Sequence, residues 1–185
     1  MHQRNNQGTL LDTCAVVNLY ATRWMPDILA AVDGPVAIAD IVAREAQFVL
    51  RGGTGEDARE REPIDLRPLI DAGLLQVIAS DLEEELLTYI DLTLDIHPGE
   101  AMTGALAIHR GCVVAIDDRK ASRVLAARGV ALRTSLDVIR AWAEGAGISP
   151  RSLRNALVDV RQRGNYEPRR SHPLRTWWND VLDSP

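Results

Sequence analysis

An α/β fold, with a central parallel sheet covered by helices on both faces, is predicted by three observations. First, Cys112–Ile116 reads CVVAI, a continuous apolar run with β-branched Val113, Val114 and Ile116, which suits a strand buried on both sides. Second, short apolar runs alternate with helical stretches along the chain, as in βα units. Third, carboxylates recur where the apolar runs end, and an open α/β sheet gathers its ligands at the carboxyl edge of its strands.

In order, TLLD at 9–12 is a strand running into Asp12, and CAVVNLYA opens a helix. Trp24-Met25-Pro26 breaks that helix, a second one covers about 27–33, and Asp33-Gly34-Pro35 signals a turn. VAIA at 36–39 is the second strand. Asp40 is placed to cap the helix DIVAREAQFVL, whose apolar side is Ile41, Val42, Ala46 and Val49, with Glu45 among them. Residues 51–65, RGGTGEDAREREPID, read as a glycine-rich, charged loop or flap. The loop lacks the Gly-Lys-Ser/Thr ending of a phosphate-binding P-loop. A helix over 66–73 stops at Gly73, LLQVIA at 74–79 is a strand, and Asp81 caps a helix over 82–94. After His97-Pro98, the run with Ala101, Gly104, Ala105 and Ala107 makes a slim helix that leads into CVVAI. RKASRVLAARG is a helix ended by Gly129, VALR a strand, and SLDVIRAWAEG a helix from Ser135. SPRSLRNALVDVRQRG is an amphipathic helix with proline at its first position. A last helix carries Trp177-Trp178.

The length allows one well-buried core and an appendage, here divided into a domain at 1–148 and a helical extension at 149–185, packed on the domain or on a partner. The charge is unevenly divided: the extension carries 7 arginines against 4 acids, whereas residues 1–148 carry 14 basic and 22 acidic side chains. An acidic body argues against a broad electrostatic nucleic-acid footprint and leaves room for a local basic patch. Cys14 and Cys112 stand singly, without zinc spacing or a disulfide framework. The start has no secretory apolar region, and no apolar stretch is long enough to span a bilayer, so a cytoplasmic protein is expected.

The carboxylates have two readings each. Asp12 serves as a helix cap or as a site acid, and Glu45 pairs with Arg44 or Arg51 or joins a site. Glu100 complements a helix dipole or binds a ligand, and Asn18, nearly two turns after Asp12, packs or looks back toward it. Asp117 and Asp118 repel each other unless a cation compensates them. Arg119 and Lys120 are phosphate contacts or solvated residues of a helix start. Taken together, Asp12, Glu45, Glu100 and Asp118 fall at strand ends or helix first turns, positions that converge in a parallel sheet. Converging carboxylates are what Mg²⁺ or Mn²⁺ requires.

Four segments in this order, LLDTCAVVNL at 10–19, VAIADIVAREA at 36–46, GEAMTGALAIHRG at 99–111 and VVAIDDRKASRVLAARGV at 113–130, resemble the PIN-domain ribonucleases. The resemblance is to their VapC-like toxin branch and spans about residues 8–145. It implies a three-layer PIN-like fold and a metal-dependent endoribonuclease, with a small cognate antitoxin, an RNA substrate and a homodimeric state. It places metal on Asp12, Glu100 and Asp118, with Glu45 bound directly or through water and Asp117 outside the direct ligands. The sequence departs from the family at Cys14, where a hydroxyl or amide is usual two residues after the first Asp. That departure feeds a competing reading, a PIN-fold binding or regulatory module with an impaired metal site. A single-stranded DNA or flap nuclease on the same core is a third. A receiver domain is set aside because the acid pair comes late, and a haloacid-dehalogenase-type phosphatase because Asp12-Thr13-Cys14 lacks the second Asp.

Overall fold

The computed structural model describes residues 8–53 and 56–184, so the N-terminal seven residues read above and Thr54-Gly55 of the glycine-rich loop lie outside the described residues. In chain order the strands are β1 (Thr9–Leu11), β2 (Val36–Ala39), β3 (Phe48–Leu50), β4 (Arg61–Pro63), β5 (Gln76–Ile78), β6 (Val113–Ala115) and β7 (Leu132–Arg133). The helices are α1 (Thr13–Ala21), α2 (Met25–Ala30), α3 (Asp40–Glu45), α4 (Arg67–Asp71), α5 (Glu83–Leu92), α6 (Pro98–Arg110), α7 (Arg119–Ala127), α8 (Ser135–Ala146), α9 (Pro150–Arg163) and α10 (Arg175–Asp183). Five strands form one parallel sheet in the order β5-β2-β1-β6-β7, and β3 and β4 form a separate antiparallel pair.

The α/β class follows from burial. Leu10, Leu11, Ile38, Ala39, Val114 and Ala115 in the three inner strands are all buried, which requires helices on both faces of the sheet. One helical layer joins α1, α2, α8 and α9, and the other joins α3, α5, α6 and α7, an arrangement compatible with a three-layer PIN-like fold. The slim α6 lies between sheet and outer helices. A side chain at Gly104 would collide with Leu125 of α7, so the small residues there set the spacing of that layer. Leu106, fully buried from the same helix, would cost about 2–5 kcal/mol if cut to alanine.

Three local expectations are corrected. The helix beginning at Asp40 ends at Glu45, and Phe48–Leu50 is β3, with Val49 opposite Glu62 of β4. Alternation decides this: Val49 is buried while Phe48 turns outward beneath the Arg61 guanidinium, 4.1 Å from the ring centroid. The charged stretch before Asp65 is therefore partly ordered, as a short 3-10 turn at Glu56–Arg59 and β4. Neither Asp40 nor Asp81 caps its helix. Ala39 and Leu82 occupy those positions, while Asp40 pairs with Arg44 and Asp81 with Arg110, both at 2.9 Å.

The C-terminal extension folds back on the core. α9 lies across α1 with Leu157 and Val160 buried, and α10 packs on α9 through buried Trp178. Tyr166 meets Trp178 edge to face at 6.4 Å. On the opposite helical layer, α5 and its flanks leave Leu82, Leu86, Leu87, Ile90 and Leu94 exposed, up to 81% at Leu94. Among the described residues no helix is long and apolar enough to cross a membrane.

Candidate metal centre at the carboxyl edge of the sheet

Strand register assembles the acids. β1 and β6 are parallel with Leu11 opposite Ala115, and the Asp12 N–H donates to the Ala115 carbonyl at 3.1 Å. Asp12, the first residue beyond β1, therefore stands beside the Asp117-Asp118 pair beyond β6. Glu100 comes from the first turn of α6, and Glu45 closes α3. The Glu45 carboxylate lies against the backbone of Gly99, where any Cβ would strike its Oε2, so a glycine is needed directly before Glu100.

Each of the four carboxylates spends one oxygen on the fold and keeps the other free. Asp12 Oδ1 accepts the Ala15 N–H at 2.6 Å and caps α1. Asp118 Oδ1 accepts the Lys120 and Ala121 N–H groups at 2.7 and 2.8 Å and caps α7. Glu100 Oε2 accepts the His97 N–H at 3.1 Å, and Glu45 Oε2 accepts the Thr13 hydroxyl at 2.6 Å. Glu45 is thus not paired with Arg44 or Arg51, which hold Asp40 and Glu60 instead. The second oxygens have no hydrogen-bond partner among the described residues, and Asp12 Oδ2 is fully buried in that state. Asp117 differs: its Oδ1 accepts the Ser135 N–H at 3.0 Å and its Oδ2 the Asn18 amide at 2.9 Å. Asn18, 2% exposed and also donating to Ser135 Oγ at 3.2 Å, looks back toward the acid edge.

The electrostatics follow. Burial first, then the charge of Asp117, holds the Asp12 carboxyl well above its usual range, with Glu100 and Asp118 adding to it. Burial raises Glu100, aided by Asp118 and Glu45. Burial also raises Asp117, against the hydrogen bonds from Ser135 and Asn18. Cys14 reaches the surface at the same edge, and desolvation of its inner side, then the field of Asp12, pushes its thiol up to about 12, so it stays protonated.

A cavity of about 670 Å³ opens in front of Asp12, lined on one side by Cys14, Glu100, Asp117 and Asp118 but not by Asp12 itself. A second, of about 400 Å³, shares His97, Glu100 and Asp118 with it and adds Lys120. The two make a groove past the acids, with Arg119 along one arm and Lys120 along the other. Among the described residues no three Asp, Glu, His or Cys side chains stand in ready-made metal-binding geometry. The donor set nevertheless fits a hard divalent cation: oxygen ligands only, one of them an orphaned buried carboxylate oxygen, and mutual repulsion that a cation would relieve.

Three contributions escaped the sequence reading. Thr13 holds Glu45, a role its place directly after Asp12 hints at, and the Ser135 backbone holds Asp117, as the first helical residue beyond the last strand. The far wall of the larger cavity comes from the extension, through Asn165, Tyr166, Arg169 and His172, and nothing in the local sequence marks it. No protein-family model matches the chain, and no curated protein matches it.

Proposed function

We propose that this chain is a metal-dependent endoribonuclease of the PIN type, the toxin of a toxin–antitoxin pair, hydrolysing RNA phosphodiester bonds with Mg²⁺ or Mn²⁺. The observation that carries this reading is the set of mutually repelling carboxylates at one sheet edge: Asp12, buried with an orphaned oxygen, stands behind Glu100 and Asp118, which line a groove flanked by Arg119 and Lys120. Asp12, Glu100 and Asp118 are the residues that would hold the metal, with Glu45 bound directly or through water. When bound, the ion supplies an activated water and neutralises charge developing on the phosphorane. Asp117 and Asn18 keep the ends of β6 and α1 in register. Arg119 and Lys120 hold the phosphate backbone on either side of the acids. The resemblance also supplies two partners, a second copy of the chain and a cognate antitoxin. The exposed apolar stripe of α5 supports an association face, since a patch of that kind favours burial against a partner.

Incubation of the protein with total RNA and with labelled single-stranded DNA in Mn²⁺, beside an Asp118→Asn control, tests the reading. RNA cleavage that the control loses is expected. Cleavage of DNA alone would redirect the reading to a DNA or flap nuclease. No cleavage by the wild type would favour the second reading, a PIN-fold binding module, toward which the protonated Cys14 thiol at the acid edge points.

A further inference from the structure

The larger cavity has two chemically different walls, and the second belongs to the extension. Gly164, directly after α9, comes so near α1 that a Cβ there would lie 2.8 Å from Asn18 Oδ1, the side chain that holds Asp117. From that contact the segment 165–173 continues along the cavity, anchored by Tyr166 against Trp178. Its hydrogen-bonding groups fall into two kinds. Glu167 is neutralised by Arg175 at 2.7 Å. Arg169, by contrast, forms no ion pair with any described residue, and neither does Arg119 on the opposite wall.

His172 is the most specific of these groups. Its Nδ1 accepts the Leu174 N–H at 3.0 Å, so in the neutral ring the proton sits on Nε2. That Nε2 is buried and has no partner among the described residues, although the ring lines the cavity. A buried donor without an acceptor is costly, and the unpaired Arg169 on the same segment puts positive charge on the wall opposite the carboxylates.

Building on the ribonuclease reading, we propose that Arg169 and His172 of the extension form a phosphate-binding subsite for the RNA strand, holding a phosphodiester against the acid edge from the opposite side. The guanidinium takes two phosphate oxygens in a forked contact, and the imidazole N–H, closed off in the empty cavity, takes one when the ring turns toward the strand. The subsite makes the extension part of the substrate-binding groove.

The test is fluorescence anisotropy of a short fluorescein-labelled single-stranded RNA with the full-length protein in Ca²⁺, a hard cation with the same oxygen preference. Arg169→Ala should weaken binding about tenfold and lower the slope of log affinity against log salt by about one. His172→Ala should also weaken binding about tenfold, with His172→Gln, which keeps an N–H donor, recovering part of the loss. Arg170→Ala, exposed and outside the cavity, should stay within about twofold. Equal thermal stability and an unchanged Mn²⁺-induced melting shift separate a binding role from a structural one. Wild-type affinity in both Arg169→Ala and His172→Ala would overturn the subsite and leave the ribonuclease reading standing. A wild-type protein that Mn²⁺ stabilises but that binds no RNA would overturn both.

Discussion

Two fully buried carboxylates in this molecule share a chemistry and have opposite fates. Glu85, 0% exposed at the start of α5, receives a forked contact from Arg110 at 2.6 and 2.9 Å, which with further hydrogen bonds holds its carboxyl below the usual range. Asp12, equally buried, receives one backbone N–H and three acidic neighbours, and is held above it. A fold able to supply an arginine to one buried acid withheld it from the other. That contrast separates a carboxylate that completes the structure from one left for something to bind.

The largest expected effect is at the unsatisfied acid. Asp12→Asn keeps a good helix cap and removes a buried charge, so the metal-free protein should melt at or above the wild-type temperature. Metal-dependent cleavage should fall at least about a hundredfold. A variant both destabilised and active would dissolve the contrast.

Next comes the satisfied pair. Arg110→Ala strands Glu85 and should lower stability by about 2 kcal/mol, discounted because Arg110 is partly exposed, or roughly 6 °C in melting temperature. Metal dependence of cleavage should not change, and thermal denaturation beside an activity assay reads both.

The two acids also predict opposite pH trends. Glu85 has a lowered pKa, so its contribution is present above the ordinary glutamate value of about 4.3 and is lost as pH falls below it. Asp12 has a raised pKa, so the metal-free fold loses stability as pH rises from the ordinary aspartate value of about 3.9 toward the raised one. Denaturant titrations across pH should show the declining limb in the wild type, a shallower one in Asp12→Asn, where the raised Glu100 and Asp117 remain, and its reduction by Mn²⁺. The smallest effect belongs to Glu45, exposed and held by Thr13, where Glu45→Gln should reduce cleavage about tenfold.

Much of this was legible in the sequence because it depends on local pattern. The apolar run at Cys112–Ile116 and its companions give the parallel sheet, and acids directly after strands are carried to one edge by register alone. The helix expected through Leu50 failed because Val49 is buried by tertiary contact, which outweighs local helical preference. The partnering of Asp81 with Arg110 and of Glu45 with Thr13 depends on approaches between distant segments. The wall made by Arg169 and His172 depends on the path of α9 across α1, a long-range docking that no short motif encodes.

Calorimetric titration of Mn²⁺ into the wild type and Asp12→Asn, repeated in buffers of different ionisation heat, tests most directly whether the acid edge is a cation site. Binding by the wild type with release of protons, as acids of raised pKa give them up to the metal, and loss of that binding in the variant, is the predicted result. No binding at millimolar Mn²⁺, or equal binding by both proteins, would contradict it.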